Sequence, residues 1–238
     1  MIHGPHVDWF LLAPSNALLA SAALSLLTAV LVPRGGRRFF GSLWCGAGFL
    51  ASFILAALLY WKSGTPHPEI AGAVVRDRFG ALAQMIVAGA GFLTVLISWG
   101  ERMRDDHIAE YYALLAAAGA GMSFLAISND LMTLFLALEW FSIALYILCA
   151  IDIDLVGSLE AGLKYLIVGS FGSAALLFGS ALVYGATGEL GFGKIAQAIS
   201  AQGLRGDGLL VLGLAMLIAG FGFKSSAAPF HMWTPDVY

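Results

Sequence analysis

The chain has 238 residues, 60% of them hydrophobic and only 11% charged, with a formal charge of -3 and a mean hydropathy of +0.86. About a quarter of the residues in an ordinary soluble domain are charged, so that class is excluded, and the small net charge without a long basic run excludes nucleic acid as a partner. The apolar residues fall in blocks of about 20 rather than in alternating strands of about ten, which predicts an all-α polytopic helix bundle in a lipid bilayer.

The first span is predicted over 9–32, with Pro14 near its start, where a missing N–H does least harm, and Pro33 as its stop. The N-terminus lacks the basic region and cleavage site of a signal peptide, so this helix is expected to be retained. The loop PRGGRRFF gathers Arg34, Arg37 and Arg38 before a second span over 40–61, and a polar loop with Pro66 and Pro68 leads to a third over 80–99. After the charged connection ERMRDDHIAE comes a fourth span over 111–128, joined by Asn129 and Asp130 to a fifth over 131–150, as a tight antiparallel hairpin. A short loop holding Asp152 and Asp154 opens the sixth span, 159–184. A looser surface segment, 185–208, contains the weakly amphipathic KIAQAISAQ, and the seventh span starts at Leu209 and runs into GFGFKSSAAPFHMWTPDVY.

Lys and Arg counts in alternate loops tie at five each, so orientation rests on the density of Arg34, Arg37 and Arg38 in a short first loop. By the positive-inside rule that loop is cytoplasmic and the N-terminus outside. Trp9, Trp44, Trp61 and Trp99 read as interfacial anchors at or near span ends. The run GSFGSAALLFGS places Gly169 and Ser173 four apart on one helix face, a spacing that permits close helix packing or lines a water path. Cys45 and Cys149 sit singly in apolar helices and read as structural thiols, and GFGK at 191–194 lacks the surroundings of a phosphate loop, so no metal, nucleotide or other cofactor is expected on this chain.

A charge near the bilayer centre costs about 2.5 to 3.5 kcal/mol, so each one in a span needs a reason. Glu139 stands almost halfway along the fifth span in LALEWFSIALYIL and reads as a functional carboxylate or as an acid satisfied by Ser142. Lys164 follows Glu160 by four residues, which allows an interfacial pair or an inward-facing proton carrier. Lys224 lies deep in the seventh span. Pro229 removes the helical partner of the Ser225 carbonyl, so the helix is predicted to break there, with an enclosed hydrated spot around Lys224, Ser225 and Ser226. Broken helices of this type hold the ion sites of transporters. An opposing carboxylate about 4 Å from a lysine contributes about 4 kcal/mol at an effective dielectric near 20, enough to switch the lysine between holding and releasing a proton. His231 is either a proton relay or a structural histidine; Asp236 reads as a helix terminator and Trp233 as an interfacial or packing aromatic.

GFGFKSSAAPFHMWTPDVY, with LALEWFSIALYIL and SLEAGLKYLIVGSFGSAALLFG upstream, resembles subunit N of proton-pumping NADH:quinone oxidoreductase, respiratory complex I, in the antiporter-like membrane subunit family. The match is tightest from about Glu110 onward. Related antiporter-like subunits read PLH and LPD where this chain has Pro229, Phe230, His231 and Thr234, Pro235, Asp236. The resemblance implies that Glu139, Lys164, Lys224 and His231 serve proton translocation on a polar axis, with Ser225, Ser226 and Pro229 at the helix break. It also implies a multi-pass protein of the bacterial inner membrane with a periplasmic N-terminus, partnered by other membrane-arm subunits. In that family NADH and quinone belong to the whole complex, so the resemblance implies a non-redox, proton-translocating subunit of an enzyme. Family members have two inverted repeats; the sequence therefore reads as a single transmembrane domain with three N-terminal helices over 1–109 and an incomplete first repeat over 110–238, as in an N-terminal fragment. A cation/proton antiporter subunit of the Mrp type, or a structural membrane subunit whose charges only fix helix register, are the alternatives.

Overall fold

The computed structural model describes residues 7–100 and 107–238. Among the described residues six helices are long and apolar enough to cross a membrane: α1 Trp9–Leu31, α2 Arg34–Lys62, α3 Arg78–Ser98, α4 Ile108–Leu125, α5 Leu131–Cys149 and α6 Val156–Thr187. A shorter amphipathic α7, Phe192–Gln202, follows, then the apolar α8, Gly208–Lys224, and a final turn, α9, Thr234–Val237. Between α2 and α3 the chain also makes a two-stranded antiparallel ribbon, β1 His67–Glu69 with β2 Val74–Arg76, which the all-α expectation did not include.

Local chemistry sets the helix ends. Asp8, Asp77, Asp130 and Asp207 each accept a first-turn backbone N–H, at Phe10, Gly80, Thr133 and Leu210, and so satisfy donors that have no partner within the helix. Gly188 closes α6 and Gly203 closes α7 at φ of 72° and 68°, a left-handed conformation that glycine adopts without a Cβ penalty. Two helices are longer than their hydropathy indicates. α2 begins at Arg34, so Trp44 lies inside the helix rather than at its end, and α6 begins at Val156 and runs past the expected end at Tyr184 to Thr187. The supposed looser segment is mostly helical too. α7 buries Ile195, which packs with Leu204, Leu210 and neighbouring α5 and α6 side chains.

The two largest core clusters of the described residues lie in different sets of helices. α1 to α4 enclose Leu18, Cys45, Phe49, Ala88, Tyr112 and Ala116. Phe49 fits because Gly91 and Gly119 face it: an added Cβ would lie 2.1 and 2.6 Å from its ring. α5, α6 and α8 enclose Leu138, Leu176, Val183, Leu210 and Leu217. Large apolar side chains such as Val30, Ile97, Phe171 and Ile218 point outward, as lipid-facing surfaces require.

One end of the bundle is stitched by backbone bonds among three connections. Val75 N–H donates to Ile127 and Asn129 N–H to Ala73, while Leu131 N–H donates to Leu190 and Phe192 N–H to Asn129. The Asn129 side chain adds a 2.9 Å bond to the Gly72 carbonyl. The α4–α5 hairpin is thereby held between the β-ribbon and the α6–α7 turn. Asn129→Ala is expected to lower the thermal stability of the assembled protein by about 1 kcal/mol, the net worth of one such bond, without altering the ion pair described below.

Candidate functional site

One face of α5 carries Glu139, Ser142 and Tyr146, at i, i+3 and i+7. Opposite them stands the last residue of α8, Lys224. Its Nζ lies 3.3 Å from Glu139 Oε1, donates to Ser142 Oγ at 2.9 Å and to Tyr146 OH at 3.2 Å. An ammonium has three N–H donors, and three acceptors on successive turns of one helix meet them. The lysine also lies 5.6 Å from the centre of the Tyr146 ring, and its side chain is 10% exposed against 25% for Glu139. The acid has a second donor: Ser173 Oγ on α6 bonds to Glu139 Oε1. The carboxylate is thus held by Lys224 and Ser173, and Ser142 serves the lysine instead of the acid.

The break in α8 is where the sequence puts it. Helical structure ends at Lys224, Ser226 takes φ 54°, the Ala228–Pro229 peptide is cis, and Thr234 Oγ1 donates to Ser226 Oγ at 2.7 Å. Ending the helix at this residue releases the lysine from the regular α8 face and turns the chain back over its own last turn, where Phe230 packs on Phe223 and against Gly222. The expected enclosure holds for Lys224 and not for Ser225, which is exposed and bonds back to the Phe221 carbonyl.

Close packing of α6 on α5 and α8 makes this geometry possible. A Cβ on Gly169 would lie 2.3 Å from Tyr146 OH, and one on Gly172 3.0 Å from Phe223 Cβ. The small-residue stripe of α6 is therefore a packing surface, and its Ser173 also reaches the acid. Gly169→Ala is expected to push the Tyr146 hydroxyl off Lys224. Its effect should match that of Tyr146→Phe, a loss of about 1 kcal/mol, the net worth of one such bond, as read from thermal unfolding.

Tyr146 continues into an aromatic cluster. Tyr165 meets its ring edge-on at 4.8 Å and stacks on Trp233 at 4.9 Å, and Tyr238 OH donates to Tyr165 OH at 3.1 Å. Trp233 is thus a packing aromatic, one of the two roles expected of it. Lys164 sits at the rim of this cluster. It pairs with Glu160 at 2.8 Å and lies 3.8 Å from Asp236, with its side chain 44% exposed. The i, i+4 pair with Glu160 is the arrangement present. Among the described residues Lys164 makes no ion pair with Glu139, and Asp236, the third residue of the four-residue α9, lies beside Lys164. His231 is exposed, and its backbone carbonyl accepts from Thr234 N–H.

Sequence reasoning singled out Glu139 and Lys224 but gave Tyr146 and Ser173 no part beside them. The i, i+7 spacing of Glu139 and Tyr146 on a helix whose remaining face is apolar was the available signal for the tyrosine. Ser173 carried none beyond its small size.

A lysine at the end of a broken apolar helix, bound across the bundle to a glutamate, gives this polytopic helical membrane protein a charged pair among its apolar helices. Residues 128–238 match the family model described as NADH:quinone oxidoreductase/Mrp antiporter, transmembrane. The chain is similar to NADH-quinone oxidoreductase subunit N of Trichlorobacter lovleyi, 41% identical over 81% of this chain and 38% of that protein, and of Gluconacetobacter diazotrophicus, 37% identical over 98% and 48%. It also resembles a chain in the structure of respiratory complex I from Thermus thermophilus with bound aureothin, with a TM-score of 0.73 and 30% identity, covering 94% of this chain and 47% of that one. The chain is a relative of these antiporter-like subunits, similar to subunit N, and it spans about half the length of the relatives it matches or less.

Proposed function

We propose that this chain forms part of a proton-translocating membrane-arm subunit of an NADH-quinone oxidoreductase, in which Glu139 and Lys224 hold and release a proton as quinone is reduced elsewhere in the complex. The observation that carries the reading is the Lys224 ammonium, 3.3 Å from Glu139 at a helix break. If the pair is pulled apart, the acid retains Ser173 and the lysine retains Ser142 and Tyr146, so each partner keeps a polar contact in the separated state. That lowers the cost of a switch between paired and unpaired arrangements. Lys164 and His231 lie toward the exposed rim and would exchange protons there, while Ser225, Ser226 and Pro229 form the break. NADH and quinone chemistry belongs to other subunits; this chain binds no cofactor in this reading, and its enzymatic role is translocation. It spans a bacterial cytoplasmic membrane beside other membrane-arm subunits, with its N-terminus on the periplasmic side and Arg34, Arg37 and Arg38 in the cytoplasm.

In inverted vesicles carrying the assembled complex, Glu139→Gln is expected to cut the initial rate of NADH-driven proton uptake by at least about tenfold, about 1.4 kcal/mol of transition-state free energy. Uptake equal to the parent at equal assembly would refute the role of the pair and leave the charges a purely structural part in helix register. A second reading, an Mrp-like cation/proton antiporter subunit, is favoured by the family description, which spans both kinds of protein. Sodium-driven proton exchange in vesicles without any electron donor would support that reading.

A further inference from the structure

We propose that Glu110 is the residue through which a proton enters toward Lys224, by way of a hydrated cavity between α4, α5 and α6. The inference rests on the proton-translocating reading above and adds a route into that site. Among the described residues Glu110 Oε2 is buried and has no hydrogen-bond partner. Its place in the first turn of α4 is ordinary, since a helix N-terminus favours a carboxylate, but that field supplies no donor. A buried acceptor left without one marks a group whose partner comes and goes, here a water or a proton in transit.

The cavity beside it encloses about 490 Å³ and is lined, among others, by His107, Glu110, Leu114, Tyr146, Ala150 and Gly162. A water takes up ~30 Å³, so a chain of them fits. Glu110 and Leu114 stand four apart, as do Tyr146 and Ala150, so each pair presents one helix face to the same space. Gly162 closes α6 on α5 behind it: an added Cβ would lie 2.5 Å from Ala150 Cβ and 3.1 Å from the Tyr146 carbonyl oxygen. His107 and Glu110 mark the end where α4 begins, and Tyr146, which lines the same cavity, accepts from Lys224 Nζ at 3.2 Å. A phenol hydroxyl both accepts and donates. Once Lys224 has given up its proton, the Tyr146 hydroxyl can donate its own to the lysine nitrogen and take one from cavity water. That water takes one from the Glu110 carboxyl, and the carboxylate is reloaded from bulk water at the His107 end. Each link gains one proton and loses one, so only a proton moves. A lipid tail would fill the apolar lining but leave Glu110 Oε2 without a donor.

The test uses the full-length protein in its assembled complex, in inverted vesicles. With Cys149→Ser as background and Cys45 left buried, the thiol of Leu114→Cys is expected to react with an impermeant sulfonated methanethiosulfonate much faster than that of Phe171→Cys, whose side chain faces outward. The difference should be at least about tenfold, because only a hydrated thiol ionises and reacts. Glu110→Gln keeps the shape of the side chain and removes its exchangeable proton. It should leave thermal unfolding unchanged, since the altered oxygen has no partner, and slow the initial rate of NADH-driven proton uptake by at least about tenfold, a conservative share of what a positioned proton carrier contributes. Glu110→Asp should restore most of the parent rate. Slow labelling of Leu114→Cys, as when lipid or protein fills the cavity, overturns the route. So does an unaltered rate in Glu110→Gln where Glu139→Gln slows uptake, which leaves the ion pair its role; an unaltered rate in both removes the translocation reading as well.

Discussion

Lys224→Met should destabilise the assembled protein by about 3 kcal/mol, the typical effect of removing one partner from a buried ion pair. The substitution keeps the bulk of the side chain, so the loss is electrostatic rather than a cavity. Glu139 would be left with Ser173 as its donor, and Ser142 and Tyr146 would lose the cation that now meets them from α8. Adding Glu139→Gln to Lys224→Met should recover much of the loss, because the carboxylate whose charge needed compensation is gone. A double-mutant cycle read by thermal unfolding should give a coupling of at least about 1 kcal/mol. Independent, additive effects would show that the two charges do not stabilise each other. Under the proposed translocation role, both single variants and the double variant should be deficient in proton uptake in vesicles, since removing both charges restores stability but not the groups that would carry the proton.

The second large effect is steric. Gly220 lies one turn before Lys224, and a Cβ there would come within 2.5 Å of Leu176 Cγ and 2.9 Å of the Gly172 carbonyl oxygen and the Leu176 nitrogen. Two of those atoms belong to the α6 backbone and cannot swing aside. Gly220→Val is therefore expected to force α8 off α6, destabilise the protein by about 3 kcal/mol, at the upper end for overpacking, and carry Lys224 away from α5. The measurement is thermal unfolding together with accessibility of a cysteine placed at Ser142, which should rise in the valine variant. A similar test at Gly193, where an added Cβ meets nothing within 4 Å, should change neither quantity.

Most of the bundle was legible because bilayer physics allows few solutions. Apolar blocks of about 20 residues must be helices, since lipid offers no partner for exposed backbone N–H and C=O groups. The break was legible for an equally local reason: Pro229 lacks an N–H and its ring cannot follow a helical turn. Glu139 and Lys224 stood out because charge is costly in apolar surroundings, which makes each one conspicuous without any knowledge of its partner. The hydropathy of α2 and α6 could not give their true ends, since the charged turn RGGR that opens α2 and the glycine- and serine-bearing turn VGSL that opens α6 extend each helix beyond its apolar block. The β-ribbon was also hidden, because its short strands draw part of their pairing from Ile127 and Asn129 on a distant turn.

Lys164 and Lys224 show the same division most clearly. Both are lysines in apolar helices, and their local sequences allow either to be buried. Packing separates them. Glycines along α6 let α8 approach closely enough for Lys224 to meet three acceptors on α5, whereas Lys164 faces the rim and pairs with Glu160 and Asp236. The sequence by itself determined that the chain is a helical membrane protein with one broken helix and charges that require compensation, because those facts follow from hydropathy and backbone chemistry within a few residues. The tertiary structure decided which charge meets which acceptor. That choice depends on helix rotation and on approach distances of a few ångströms between segments as far apart as Glu139 and Lys224, which no local pattern encodes.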